Sequence, residues 1–263
     1  MKFGCCIQRA DEIMLAKEAG CDHFEFSGAA VAAMSEDEFR ALLYAANESG
    51  LPCCGFNSYC AGSPAIVGDA CSPEETERYA RLVCGRGERQ GIRSVGIGAP
   101  KARRLPSGYD MAKADEQCAD FLKITARVAA ESGQLVLFEA VHDRLCNYAT
   151  HTSDAAAMVK ALDVDNIAIV LDFYHMSMMN ESLDDAMAAL PYLRHVHFST
   201  ACADLGRGFP QTEDSDEYRK IIAWLKAHGY GATVSIEPSG FNTDQAKGCI
   251  AMLKKIDRET EAQ

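Results

Sequence analysis

The sequence lacks the long apolar segments that membrane proteins require. No stretch approaches the ~18 uninterrupted apolar residues of a membrane span, and the N-terminal residues MKFGCCIQRADEIM do not include the apolar run of a signal peptide. The 263 residues also contain no linker rich in proline, glycine or serine, and no low-complexity tract. We therefore expect a cytoplasmic protein that has no contact with membranes and folds as a single domain over residues 1–263.

Positive charge is scarce. The chain has 26 lysines and arginines against 38 acidic residues, which gives a formal net charge of −12. Tight binding to a phosphate backbone requires a basic surface, so nucleic acid is not an expected partner.

Pairs of cysteines in C-x-x-C spacing are absent, although the chain has twelve cysteines. They occur in apolar stretches such as FGCCI and LPCCGF. Reduced, buried thiols that act as small hydrophobic groups are therefore expected, rather than disulfides or a cysteine-ligated metal.

Short β-rich runs alternate with longer helical patterns along the whole chain. The predicted strands are 2–7, 23–27, 52–57, 94–99, 135–140, 167–172, 195–199 and 233–237. The predicted helices lie near 9–19, 35–49, 73–90, 110–132, 153–162, 183–190, 214–228 and 242–257. Runs such as IAIVL and LVLF are continuously apolar, as in a parallel sheet that is covered on both faces.

Eight β/α pairs of this kind predict a single (β/α)8 TIM barrel. An open doubly wound sheet is the competing fold, but no G-x-G-x-x-G follows the first strand. Ser35, Ser72 with Pro73, and Gly229 mark the expected helix boundaries.

The last four predicted strands end in residues that can bind a metal: Glu139, Asp172, His197 and Glu237. A barrel builds its active site at the C-terminal ends of its strands, and successive strands are neighbours, so these side chains should converge. Each residue alone is more often a helix cap, a turn residue or a buried core group. The prediction of a metal site therefore rests on the set of four.

A divalent cation would remove the repulsion that three crowded carboxylates create. Three oxygen donors and one imidazole suit Mn²⁺ first, with Mg²⁺, Co²⁺ or Zn²⁺ as alternatives. The set contains no thiolate, which argues against a structural zinc site.

Four motifs resemble the xylose-isomerase-like barrel superfamily of sugar isomerases and epimerases, which also has an endonuclease branch. They are LFEAVHD, LDFYHMSMMN, LRHVHFST and VSIEPSG in the C-terminal half. The D-x-x-H-M of Asp172, His175 and Met176 is similar to ketose 3-epimerases and hydroxypyruvate isomerases.

The resemblance implies that the four strand-end residues are the metal ligands, and that Glu139 and Glu237 are also the catalytic acid and base. A ketose or hydroxyketone would lose a proton next to its carbonyl, through a metal-stabilised enediolate. Return of the proton to the opposite face gives epimerisation, and return to the neighbouring carbon gives isomerisation. His175 and Arg207 would contact a substrate oxygen, although His175 could instead orient Asp172, and Arg207 could be a solvated loop residue. The resemblance also favours a homo-oligomer.

The substrate and the outcome of the reaction stay open. Relatives often have Glu-Pro-x-Asn where this chain has Glu139-Ala-Val-His142. A lyase or dehydratase acting on a keto sugar, a cyclic polyol or a glycoside derivative is the alternative, since it would share the first proton transfer. An endonuclease is more remote, because strands two to four supply none of its extra histidines except His23, which begins its strand instead of ending it.

Weaker candidates for the pocket lie at the ends of the earlier strands. Glu25, Gln8, Asn57 and Ser58 could line a sugar site. Lys101, Arg103 and Arg104 could hold an anionic group of the substrate, although surface charge is the commoner role of such loop residues.

Overall fold

The computed structural model describes residues 1–203 and 206–260. Eight parallel strands close into a barrel, in which the first strand pairs with both the second and the last. The barrel strands are β1 (Lys2–Ile7), β2 (Phe24–Ser27), β3 (Cys53–Asn57), β4 (Ser94–Ile97), β5 (Leu135–Glu139), β6 (Ile167–Asp172), β7 (Leu193–Phe198) and β10 (Thr233–Ile236). Two short strands, β8 (Thr200–Ala201) and β9 (Arg207–Gly208), form an antiparallel pair above the barrel mouth. The predicted TIM barrel is confirmed.

Helices follow the strands around the outside of the barrel. They are α1 (Glu12–Glu18), α2 (Gly28–Ala33), α3 (Glu36–Ser49), α4 (Pro73–Gln90), α5 (Met111–Ala130), α6 (Thr152–Leu162), α7 (Phe173–Met178), α8 (Leu183–Ala186), α9 (Ser215–Ala227) and α10 (Thr243–Glu259). Short 3₁₀ segments occupy Pro100–Arg103, Met187–Tyr192 and Thr212–Asp214. None of the helices in the described ranges has the length and apolar character needed to cross a membrane.

Local chemistry explains where the long helices begin and end. Ser35 and Glu38 form a capping box at the start of α3, and Ser72 caps α4 directly before Pro73. Gly50 and Gly91 adopt positive φ angles at the ends of these helices, where a side chain would be strained. Gly229 has the same role after α9. The predicted boundary residues therefore lie where the sequence placed them.

The sequence did not predict α2 and α7. Each helix has six residues and begins directly after a barrel strand. The last strand residue caps each one, Ser27 for α2 and Asp172 for α7. Six residues are too few to show a helical hydrophobic period, so the sequence pattern indicates neither helix. The predicted helix 183–190 is divided between α8 and a 3₁₀ segment that contains Pro191.

The core fills the barrel and the space between the barrel and its helices. All six residues of β6 are buried, which agrees with a parallel strand covered on both faces. All twelve cysteines are free, and nine of them are buried. The nine buried thiols pack as small apolar groups, as the apolar residues around them in the sequence indicate.

Candidate active site

Four side chains from consecutive barrel strands meet at the mouth of the barrel. Glu139 and Asp172 are the last residues of β5 and β6, His197 is the penultimate residue of β7, and Glu237 follows β10 directly. One ligand atom from each of the four lies within 4.8 Å of all the others. The structure therefore brings together the complete set that was selected from the strand ends.

The His197 imidazole is at the centre of this set. Its Nδ1 atom lies 3.2 Å from Glu237 Oε2, 3.4 Å from Glu139 Oε1 and 3.9 Å from Asp172 Oδ2. His197 Nδ1 and Glu139 Oε1 are buried, and neither has a hydrogen-bond partner among the described residues. Buried polar atoms are costly to leave unpaired. Oxygen and imidazole donors of this kind suit a divalent cation, so the residues fit the predicted metal.

Gly98, just after β4, makes room for the Glu139 carboxylate. A Cβ atom at this position would lie 2.5 Å from Glu139 Oε2. No real Cβ approaches an oxygen so closely, so a larger residue would displace the carboxylate from the site.

Asp172 uses its two oxygens for different purposes. Oδ1 accepts hydrogen bonds from the backbone N–H groups of Tyr174 (2.8 Å) and His175 (3.3 Å), and it thereby caps α7. Oδ2 faces His197 and Arg207. Asp172 therefore caps α7 with one oxygen and faces the cluster with the other.

Arg207 reaches into the site from β9. Its guanidinium pairs with the carboxylates of both Asp172 and Glu237 and lies over the Tyr174 ring, 4.6 Å from the centroid. Arg207 Nη2 donates to His175 Nε2 at 3.1 Å. Because an arginine can only donate, His175 accepts through Nε2, and a neutral ring then carries its proton on Nδ1.

The acids of the site have unequal proton affinities. Burial raises the pKa of Glu139 to about 7, and the charges of Glu237 and Asp172 act in the same direction. Burial, the largest single influence, disfavours the ionised forms of Asp172 and Glu237, but the charge of Arg207 together with the contacts of His175 and His197 outweighs it and lowers the pKa of both acids. Burial, with the charge of Arg207, lowers the pKa of His175 to about 3, so this ring is neutral near pH 7.

A cavity of about 350 Å³ opens above these groups. Its polar lining includes Glu139, His175, Arg207 and Glu237. The apolar part of the lining is formed by Cys60, Ala61, Ala99, Pro100, Val141 and Leu145. A small molecule that enters the cavity can therefore present one oxygen-bearing edge to the acids.

Comparison with known proteins identifies the family. Residues 13–256 match the sequence profile described as the xylose isomerase-like TIM barrel. The chain belongs to this family.

Relatives within the xylose isomerase-like family include sugar epimerases. The 3-dehydro-D-guloside 4-epimerase of Escherichia coli strain K12 is 26% identical over 233 residues, which cover 84% of this chain and 83% of that protein. A Streptomyces coelicolor protein with a provisional assignment as a hydroxypyruvate isomerase is 26% identical over 211 residues, covering 77% and 74%. The D-psicose 3-epimerase of Clostridium cellulolyticum H10, solved with D-tagatose, has the same fold, with a TM-score of 0.74 at 19% identity over 99% of this chain and 96% of that one.

The weaker candidates have different positions in this xylose isomerase-like barrel. Asn57 donates to Glu237 Oε1 at 3.1 Å, and Ser58 and Lys101 line the cavity. Gln8 donates to Ser239 O at 3.4 Å, and Arg104 donates to Leu145 O at 2.8 Å.

The position of Arg103 contradicts the expectation that this residue could hold an anionic group of the substrate. It is fully buried, with its guanidinium 5.1 Å from the centre of the Phe138 ring, and it does not line the cavity. It is therefore unavailable to a substrate anion.

The sequence interpretation missed the roles of two further groups. His142 is fully buried, and its ring lies 5.1 Å from that of His175. Glu25 is buried deeper in the barrel, where it contacts His195 and His197. The sequence did single out His142, because relatives often have asparagine at this position. No feature of the sequence near Glu25 indicates that its side chain contacts the two histidines of β7.

Proposed function

We propose that the protein is a divalent-metal-dependent sugar epimerase or isomerase that moves a proton on the carbon next to a carbonyl group. The observation that carries the proposal is the convergence of Glu139, Asp172, His197 and Glu237 beneath a cavity large enough for a small sugar. The activities named for the two relatives, a sugar 4-epimerase and a hydroxypyruvate isomerase, support the same class of chemistry.

The four converging residues would hold the cation, with Mn²⁺ as the first choice and Mg²⁺, Co²⁺ or Zn²⁺ as alternatives. A cation bound there would polarise the substrate carbonyl and stabilise the negative charge that develops on its oxygen.

Glu139 and Glu237 are the proposed acid and base. They come from β5 and the end of β10, which β6 and β7 separate, and both line the cavity. A substrate held between them presents its two faces to different carboxylates. One glutamate removes the proton next to the carbonyl and the other returns a proton, which inverts a carbon or moves the carbonyl.

His175 and Arg207 are the proposed substrate-binding residues. Both line the cavity beside the acids, and their contact with each other directs them at the same region. The Arg207 cation can donate a hydrogen bond to a substrate oxygen near the proposed metal position, and the neutral His175 ring would contact the substrate beside it on the same part of the lining.

Exchange of the substrate proton with solvent deuterium is the decisive test. The Mn²⁺-loaded protein would be incubated in D₂O with 3-keto glycosides, hydroxypyruvate and ketohexoses, and the products analysed by NMR. We expect one substrate to acquire deuterium at the carbon next to its carbonyl while it epimerises or isomerises, and we expect EDTA to stop the reaction. Turnover without deuterium uptake, or at full rate with EDTA, would contradict the proposal.

The same spectra distinguish the alternative lyase or dehydratase. Elimination would expel a group from the β-carbon and leave an unsaturated or dehydrated product, which epimerisation does not. An endonuclease has less support, because the net charge is −12 and the other candidate metal cluster in the described ranges, Cys6, Glu25 and His197, shares its histidine with the first.

A further inference from the structure

A buried carboxylate lies beneath the proposed metal ligands, on the opposite side of His197 from the cavity. Glu25 is on β2, and its side chain is only 5% exposed. In the barrel, β1 and β10 separate β2 from β7. The carboxylate therefore reaches across the barrel interior to make its contacts.

One oxygen of Glu25 accepts from two imidazoles. Glu25 Oε1 lies 2.5 Å from His195 Nε2 and 3.2 Å from His197 Nε2. Both histidines are on β7, two residues apart, so they point to the same side of the strand. The His195 ring is held from its other end by Thr233 Oγ1, 2.7 Å from Nδ1.

This arrangement selects a tautomer of His197. A carboxylate can only accept, so the contact with Glu25 requires a proton on Nε2. In the neutral ring, Nδ1 then carries a lone pair, and this lone pair faces Glu139, Asp172 and Glu237. The opposite tautomer would put two lone pairs against each other at Glu25 and a proton where a cation must bind.

We infer that Glu25 is a positioning residue of the metal centre, which holds His197 with an unprotonated Nδ1 directed at the three carboxylates. The inference rests on the proposed function, because it assigns a role toward the same metal. The second ring nitrogen of a metal-ligating histidine commonly donates its N–H to a carboxylate. This hydrogen bond fixes the tautomer and increases the basicity of the ligand. His195 extends this support by donating to the same oxygen of Glu25, and Thr233 in turn holds the His195 ring.

The test compares Mn²⁺ affinity, measured calorimetrically without substrate, in the wild type and two variants. Glu25→Gln keeps the size of the side chain but removes the negative charge and replaces one oxygen with an N–H₂ donor. The amide can accept from or donate to the rings, so it no longer fixes which nitrogen of His197 carries the proton. Glu12→Gln is the matched control. Glu12 is also buried, but its carboxylate accepts from the backbone N–H groups of Gln8 (2.8 Å) and Arg9 (3.1 Å).

We expect Glu25→Gln to weaken Mn²⁺ binding by roughly 10- to 100-fold, while Glu12→Gln stays within about twofold of the wild type. Equal losses in the two variants would indicate a general effect of removing a buried carboxylate, and would overturn the inference. Wild-type affinity in Glu25→Gln would overturn it as well, yet leave the proposed function intact. Failure of the wild type to bind Mn²⁺ would instead remove the proposed function, and this inference with it.

A second measurement needs no variant, in case Glu25→Gln does not fold. Nitrogen-15 NMR of the wild type loaded with diamagnetic Mg²⁺ reports the protonation of each imidazole nitrogen. We expect His197 to carry its proton on Nε2. A proton on Nδ1, with Nε2 bare, would overturn the inference.

Discussion

Glu139 and Glu237 line the same cavity but come from strands that are not adjacent. Each carboxylate can therefore be replaced by an amide without altering the other. We predict that Glu139→Gln and Glu237→Gln each lower kcat by roughly 10²- to 10⁴-fold, the usual contribution of a general acid or base. Turnover would be measured at Mn²⁺ concentrations that saturate each variant, because both residues are also proposed ligands. Glu12→Gln serves as the control. Near-normal turnover in either site variant at full metal occupancy would exclude that residue as acid or base.

Arg207 shares its two carboxylate partners with the proposed cation. Its guanidinium pairs with oxygens of Asp172 and Glu237 that belong to the proposed ligand set. We predict that Arg207→Met increases Mn²⁺ affinity by about tenfold, because a competing positive charge is removed, and at the same time raises KM. Calorimetry and steady-state kinetics measure the two effects.

Lys101→Met is the matched control for Arg207. Lys101 lines the same cavity and forms no ion pair with the four proposed ligands in the part of the chain that the structure describes. We expect it to change Mn²⁺ affinity much less. An equal rise in Mn²⁺ affinity in Arg207→Met and Lys101→Met would indicate a nonspecific effect of net charge.

At the scale of elements, continuous apolar runs made the strands predictable, and their order placed the last four strand ends together. This succeeded because barrel neighbours follow one another in the chain. Contacts between strands that do not follow one another in the chain could not be predicted in this way. Glu25 and His197 are 172 residues apart, and they meet only because of how deep each side chain lies in the closed barrel. The short helix α7 was missed for a different reason, since its start depends on a cap from Asp172.

The junction of β1, β2 and β10 contains a buried histidine, His23. His23 precedes β2, its Nε2 is 3.0 Å from Ser235 Oγ, and a Cβ atom on Gly4 would lie 2.5 Å from its ring. Burial, assisted by the nearby His195, lowers the pKa of His23 from 6.5 to about 4.

This depressed pKa predicts a pH-dependent stability. Between pH 6.5 and 4 the unfolded chain binds a proton at His23 and the folded chain does not, so stability falls as the pH falls. The full effect is about 3 kcal/mol. Urea unfolding from pH 4 to 7 should therefore show a flatter profile for His23→Gln than for the wild type. His228→Gln, at an exposed histidine, should keep the wild-type slope. Parallel profiles for all three proteins would contradict the assignment.

For the whole molecule, the metal should contribute to stability, because the proposed ligands come from β5, β6, β7 and the end of β10. The unfolded chain cannot present them together. Mn²⁺ at about 100 times its Kd should stabilise the fold by about 2.7 kcal/mol and raise Tm by roughly 5 to 10 °C. Thermal unfolding with Mn²⁺ and with EDTA measures the difference.

Asp172→Asn is the matched variant for the Mn²⁺-dependent rise in Tm. The asparagine side-chain oxygen can still cap α7, but the charge toward the site is lost. We expect the variant to fold and to lose most of the Mn²⁺-dependent rise in Tm. An unchanged rise would mean that the ion binds elsewhere.

The distribution of the cysteines has a practical consequence for experiments on the barrel mouth. Of the twelve thiols, only Cys202 is exposed, and it lies between β8 and β9, in the segment that leads to Arg207. Cys54 and Cys71 are partly exposed, but burial raises their pKa and lowers the thiolate fraction that reacts. A maleimide dye should therefore attach first at Cys202. The natural sequence thus offers a single-site fluorescent reporter beside the entrance to the cavity, without an engineered cysteine.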